Sequence, residues 1–268
     1  MKRLAALLLL LAAPARALTE PQFTEVLSLV RDIYTPLAAA RGRTMVIEGL
    51  WERDGSAVIF DGQGVFLIRI AGGMARLPVM TQDALALAVC HEVGHLMGGA
   101  PRQRYPLTSW VAAEGQADYF ATLKCARRVF TDARAVAFTR LPYVDPVVRA
   151  ACPNALCERS AMAGASLVEV LGALKSRGAA PRFDTPDPSA VMLTLDLYPS
   201  LQCRLDTFFQ GALCARGVDE NVSGGDPAAG ACTAGQGHLV GRRPGCWYAP
   251  PQGEPDAPAL PTAAFASF

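Results

Sequence analysis

The string HEVGH occupies residues 91–95, and EGQAD follows at residues 114–118. On a helix, His91 and His95 leave the same face one turn apart. That is the spacing at which two imidazoles can share one tetrahedral metal ion. Glu92 stands beside the pair, where a carboxylate can take a proton from a water on that ion. Glu114 supplies a third, oxygen ligand. Asp118, one turn further on, is placed to bond the free ring nitrogen of a ligating histidine. Three protein ligands leave a fourth position for water, which marks a catalytic zinc site rather than a structural one. The expectation is one Zn2+ per chain on His91, His95 and Glu114, with Glu92 as general base.

The chain has three histidines, and two of them lie in this one string. A chance pairing on an ordinary helix accounts poorly for that. Glu114 and Asp118 sit among Gly115, Ala117 and Ala121, close to Trp110, Val111, Tyr119 and Phe120. A helix of that composition is mostly buried, and a buried carboxylate needs a metal or a histidine as partner.

The elements that must hold these residues follow from patterning. Phe23, Val26, Val30, Ile33, Tyr34 and Leu37 recur at helical spacing and predict a first helix over residues 21–41. Three β-rich runs follow, at residues 44–51, 56–60 and 64–70, separated by Asp54-Gly55 and Asp61-Gly62. Both dipeptides favour tight hairpin turns, so a small antiparallel meander is expected. Thr81 caps a metal helix over residues 82–97, and Gly98-Gly99 ends it. Beyond a loop with Pro101 and Pro106, a second metal helix is expected over residues 109–130. Further helical pattern runs over residues 146–151, 155–176 and 199–216. The fold class is α+β: a small antiparallel or mixed sheet packed on the metal-binding helix, followed by a mainly helical part.

HExxH followed by ExxAD resembles the signature of gluzincin metallopeptidases of the HtpX-like and CAAX-prenyl-protease branch, with thermolysin a more distant relative. That branch carries a downstream His-Pro and, six residues after the His, an Arg. Here Tyr198-Pro199 and Arg204 have that spacing, with Tyr198 in place of the family histidine. The resemblance covers roughly residues 45–209 and implies a zincin-like fold and zinc-dependent endopeptidase activity. It implies an edge strand beside the cleft, to which a peptide or protein substrate adds in extended form; residues 56–60 are the candidate, with an ordinary core strand as the alternative. The tetrahedral oxyanion of such a reaction needs a second electrophile, and Tyr198 or Arg204 is the expected source. The bland alternatives are a Tyr198 that packs on Pro199 and an Arg204 that pairs with Asp206 or Asp118. Two other functions stay open on the same residues: a silent zinc-binding interaction module of the cell envelope, which the loss of the family histidine permits, and a metal-dependent amidase acting on cell-wall peptides.

Lys2 and Arg3, an apolar run over residues 4–13 and Ala15-Arg16-Ala17 read as a secretory signal over residues 1–17, with Leu18 as the mature start. The run is too short to span a bilayer comfortably, and no other approaches it. A soluble, exported protein, periplasmic or secreted, is expected, with no transmembrane segment after cleavage. Losing Lys2, Arg3 and Arg16 moves the formal charge from +1 to −2, which argues against nucleic acid as a partner. Eight cysteines remain, an even number that in an exported chain argues for disulfides. The expected local pairs are Cys203–Cys214 and Cys232–Cys246. Cys90 is a candidate partner for Cys125, or else a buried free thiol. A zincin-like domain is expected over residues 18–217. Residues 218–268, where Gly, Pro and Ala dominate and periodicity is lost, are expected to form a disulfide-pinned tail with little core of its own. His238 in that tail is a bystander.

Overall fold

A computed structural model describes residues 17–55, 57–175 and 180–251. Apart from Ala17, the expected signal segment lies outside the described residues. Helix α1 (Glu20–Ala39) starts from a reciprocal capping box. Thr19 N donates to Gln22 Oε1 at 3.0 Å, and Gln22 N donates to Thr19 Oγ1 at 3.4 Å. The helix buries Phe23, Val26, Val30 and Tyr34, four members of the expected stripe, and packs on β1.

The sheet holds β1 (Thr44–Leu50), β2 (Ala57–Gly62) and β3 (Val65–Ala71), with β3 in the centre. β2 runs antiparallel to β3, whereas β1 runs parallel to it. The sheet is therefore mixed, and the expected meander is corrected. Asp54-Gly55 does not fold β2 back onto β1, because Gly72 and Gly73 amides bond Leu50 and Arg53 carbonyls and hold that loop against the end of β3. The β2–β3 turn also shifts by two residues. Asp61 and Gly62 stay in the strand, and Gln63 (φ 52°) and Gly64 (φ 77°) make the turn. A two-residue hairpin loop of this kind needs positive φ at both central positions. Of the two alternatives for residues 56–60, the edge strand is the one that forms, since β2 lies at an edge of the sheet, although Ser56 itself lies outside the described residues.

Helix α2 (Gln82–Met97) carries HEVGH and has the expected bounds. The Thr81 side chain caps it by accepting from Ala84 N at 3.0 Å. Gly99 turns the chain away in a left-handed conformation (φ 77°). Every residue of α2 except Glu92 is buried, so the helix runs through the core between α1, α6 and the second metal helix. At its N-terminus Asp83 is clasped by Arg159 of α6 (Ala155–Lys175), with Nε and Nη2 at 2.8 and 2.7 Å.

The second metal helix departs from expectation. It begins at Glu114 rather than Ser109, because the amides of Ala112 and Ala113 are already spent on the carbonyls of His95 and Pro101. It then runs as α3 (Glu114–Phe120), a π-helical turn (Ala121–Cys125) and α4 (Ala126–Thr131). Beyond it, α5 (Pro146–Ala151) matches expectation. The last helix, α7 (Leu201–Leu213), is shorter than expected. Ser200 caps its start, and Arg127 collects the carbonyls of Ala212, Cys214 and Arg216 at its end.

Four disulfides form among the described residues: Cys90–Cys125, Cys152–Cys157, Cys203–Cys246 and Cys214–Cys232. The first was a candidate pair. The last two replace the expected Cys203–Cys214 and Cys232–Cys246. Cys203 and Cys214 sit at opposite ends of α7, about 16 Å apart at the helical rise, and a disulfide spans at most about 7 Å between Cα atoms. The tail is pinned, as expected, but it shares core with the body. Trp247 is fully buried against Tyr119 and Leu123. Among the described residues, no helix is long and apolar enough to cross a membrane.

The Asp83–Arg159 clasp makes a stability test. Arg159→Met removes the guanidinium, which also lies over the Phe130 ring and bonds the Ala135 carbonyl, and leaves Asp83 buried without its partner, which costs about 3–5 kcal/mol. A markedly lower Tm is expected in a thermal melt. An unchanged Tm would show that the pair does not hold α2 to α6.

Candidate metal centre

The two imidazoles are held from behind by acceptors that fix their protonation. His91 Nδ1 lies 2.7 Å from Asp118 Oδ1, and His95 Nδ1 lies 2.9 Å from the Ala112 carbonyl. A carboxylate and a carbonyl only accept, so each Nδ1 carries the proton. Each Nε2 is left facing Glu114. His91 Nε2 is 3.2 Å from Glu114 Oε2, and His95 Nε2 is 3.5 Å from Oε1. All three residues are buried, and one donor atom from each lies within 4.8 Å of the others.

This group could hold a metal ion, and two observations show the fit. Ligands about 2.0–2.1 Å from a tetrahedral zinc stand about 3.3 Å from one another, which the 3.2 and 3.5 Å separations bracket. In addition, Glu114 Oε2 is buried with no hydrogen-bond partner, since its approach to His91 lacks the geometry of one. A buried carboxylate oxygen without a partner is costly, and a cation beside it removes the penalty.

Close helix packing makes the convergence possible. Gly94 faces Ala117 so closely that a Cβ would stand 2.8 Å from the Ala117 carbonyl oxygen and 2.9 Å from its Cα. A larger residue would drive α2 and α3 apart and carry Glu114 away from the histidines. The Cys90–Cys125 disulfide ties α2, just beside His91, to the π-helical turn that continues α3.

Behind His91 a chain of buried charge continues. Asp118 is fully buried and accepts two hydrogen bonds from Arg204, Nε to Oδ2 and Nη2 to Oδ1, both at 2.7 Å. Of the alternatives for Arg204, the ion pair with Asp118 is the one that forms. Asp206 instead accepts from Gln202 and from the Asp187 amide. Burial opposes the Asp118 anion, but Arg204 and then His91 outweigh it and hold the carboxyl below its ordinary range. Burial likewise opposes a charged His91, and Asp118 and then Glu114 overcome it and push that pKa up. A metal held at Nε2 would take the place of that proton. His95 moves the other way, pulled down to about 4 by burial and by the charge of His91. Burial pushes Glu92 up to about 7, with Glu114 and Asp118 raising it and His91 and Arg204 lowering it.

Tyr198 is 64% exposed and stacks against the buried Arg204, whose guanidinium carbon is 5.8 Å from the ring centre. The charge of Glu114, then burial and the charge of Glu92, raise its pKa. Of the residues singled out from the sequence, His91, His95 and Glu114 converge, Asp118 and Arg204 stand in line behind His91, and Tyr198 lies over Arg204. His238, partly exposed in the tail, is not among the residues that gather there. The Ala112 carbonyl was not anticipated, because a backbone acceptor leaves no side-chain signature. Comparison with family models, with curated proteins and with solved structures finds no match to this chain.

Asp118→Ala should weaken metal binding by about 10–100-fold without abolishing it, since it unties His91 and leaves the three ligands in place. Competition with a chromophoric chelator measures this, and an unchanged affinity would show that the bond to His91 does not tune the site.

Proposed function

We propose that the chain is a zinc-dependent endopeptidase of the gluzincin type that works outside the cytoplasm. The observation that carries this reading is the convergence of His91 Nε2, His95 Nε2 and the partnerless Glu114 Oε2. Two imidazoles and a carboxylate are a donor set suited to Zn2+. When bound, the ion acidifies a water toward neutrality and polarises an amide carbonyl.

The protein's own groups supply the rest. Glu92 is the one residue of α2 that is only partly buried, and its carboxyl is pushed up to about 7. A base of that pKa is matched to taking a proton near neutral pH and passing it to the leaving amine. A silent zinc-binding site would have no need of such a base. Tyr198 donates its phenolic hydrogen to the developing oxyanion. Arg204 acts one step removed. Its Nε and Nη2 hold Asp118, and Asp118 holds the His91 ring with its Nε2 forward. β2 offers a strand edge with Val58 and Phe60 exposed, where an extended polypeptide adds by main-chain hydrogen bonds. Four disulfides, and the signal pattern read over residues 1–17, support export to the periplasm or the medium.

The experiment is a pair of single-group deletions. Glu92→Gln should bind zinc as the parent does and lose hydrolysis of unfolded casein, because only proton transfer is removed. Cleavage at the parental rate would contradict the mechanism. Tyr198→Phe should lower kcat by about 10²–10³ while changing KM little. An unchanged kcat would remove Tyr198 from the reaction.

A further inference from the structure

Helix α3 opens one continuous helical run that passes through the π-helical turn to Thr131. Its first turn, which carries Glu114, has no side-chain cap at Ala113. The orientation of that turn is set by what packs against it. One face carries Glu114, Ala117 and Asp118 toward α2. The other carries Gly115, Gln116 and Tyr119, and all three are covered by residues 231–249 near the C-terminus.

The contacts are specific. The Trp247 ring lies so close to Gly115 that a Cβ there would stand 2.1 Å from a ring carbon. Arg243 Nε donates to Gln116 Oε1 at 2.7 Å, and Gln116 Nε2 donates to the Gly98 carbonyl, just past α2, also at 2.7 Å. Tyr119 Oη donates to the Gly241 carbonyl at 2.6 Å and accepts from Cys232 N at 3.2 Å. The same segment holds the stretch that leads to Tyr198. Val191 N donates to Gly245 O and Leu195 N to Trp247 O, while Glu114 N donates to Asp196 O at 3.3 Å. The Cys203–Cys246 disulfide then ties the residue before Trp247 to the residue before Arg204.

We propose that residues 231–249 are part of the metal centre: Trp247 and Arg243 are positioning residues that set Glu114 through Gly115 and Gln116, and the Cys203–Cys246 disulfide locks them to the helix that carries Arg204. This rests on reading His91, His95 and Glu114 as a metal site. It makes assembly of that site dependent on an oxidised chain. A segment that served stability alone would change the melting temperature and leave the ligand geometry untouched.

The test uses the full chain, with Zn2+ affinity from chelator competition and the visible spectrum of bound Co2+ as a report on ligand geometry. Trp247→Ala should bind Zn2+ about 10–100-fold more weakly, the range for loss of groups that orient ligands, with an altered Co2+ spectrum. Trp247→Phe, which keeps a ring over Gly115, should recover most of both. Cys203→Ala combined with Cys246→Ala should resemble Trp247→Ala, whereas Cys152→Ala with Cys157→Ala should match the parent. If Trp247→Ala fails to fold, the Trp247→Phe and Cys203/Cys246 variants decide the matter. Parental affinity and spectrum in a folded Trp247→Ala or Cys203/Cys246 variant, judged by far-UV circular dichroism, would overturn the proposal. A parent chain that takes up neither metal would instead overturn the metal-site reading, and this proposal with it.

Discussion

A carboxylate at Asp118 with no access to water is the constraint on which the rest of the centre depends. An isolated buried anion is far too unfavourable to persist. Asp118 persists because Arg204 grips both of its oxygens and His91 donates to one of them. The consequence runs forward as well as back. With Nδ1 committed to Asp118, the His91 ring is fixed in rotation and its other nitrogen points at Glu114. One buried ion pair therefore sets the direction of a ligand two groups away.

That arrangement demands two helices in unusually close contact, and the packing around it reads as the means of achieving this. Gly94 and Ala117 remove the side chains that would separate α2 from α3. The Cys90–Cys125 bridge closes the same interface covalently. His95 is held from both sides by one residue, since Ala112 accepts from its ring and donates its own amide to the His95 carbonyl. Glu92 alone among the residues of α2 escapes full burial, as a group must if it is to exchange protons with a substrate.

Much of this was legible in the sequence, for identifiable reasons. The i, i+4 spacing of His91 and His95, and of Glu114 and Asp118, carries the helical geometry within it, so the candidate metal-holding group needed no tertiary knowledge. Thr81 and Gly98-Gly99 marked the ends of α2 because capping is local chemistry. What was missed depends on distant partners. The start of α3 was placed five residues early because tertiary bonds to His95 and Pro101 consume the amides that a longer helix would use. The β1–β3 pairing was missed because strand order is not written in any one strand. Trp247 gave no periodic signal in a Gly- and Pro-rich stretch, yet it fills the space beside Gly115. The expected Cys203–Cys214 pair ignored the length of the helix between them, which geometry alone could have corrected.

The central claim is that a metal held by His91, His95 and Glu114 drives peptide hydrolysis. It is tested most directly by following cleavage of unfolded casein through one cycle of chelation and reconstitution. Cleavage should stop when the metal is stripped and return on addition of about one equivalent of Zn2+ per chain, the number set by three ligands at a single site. Undiminished cleavage by the stripped protein, or no cleavage by the protein carrying its zinc, would contradict the account.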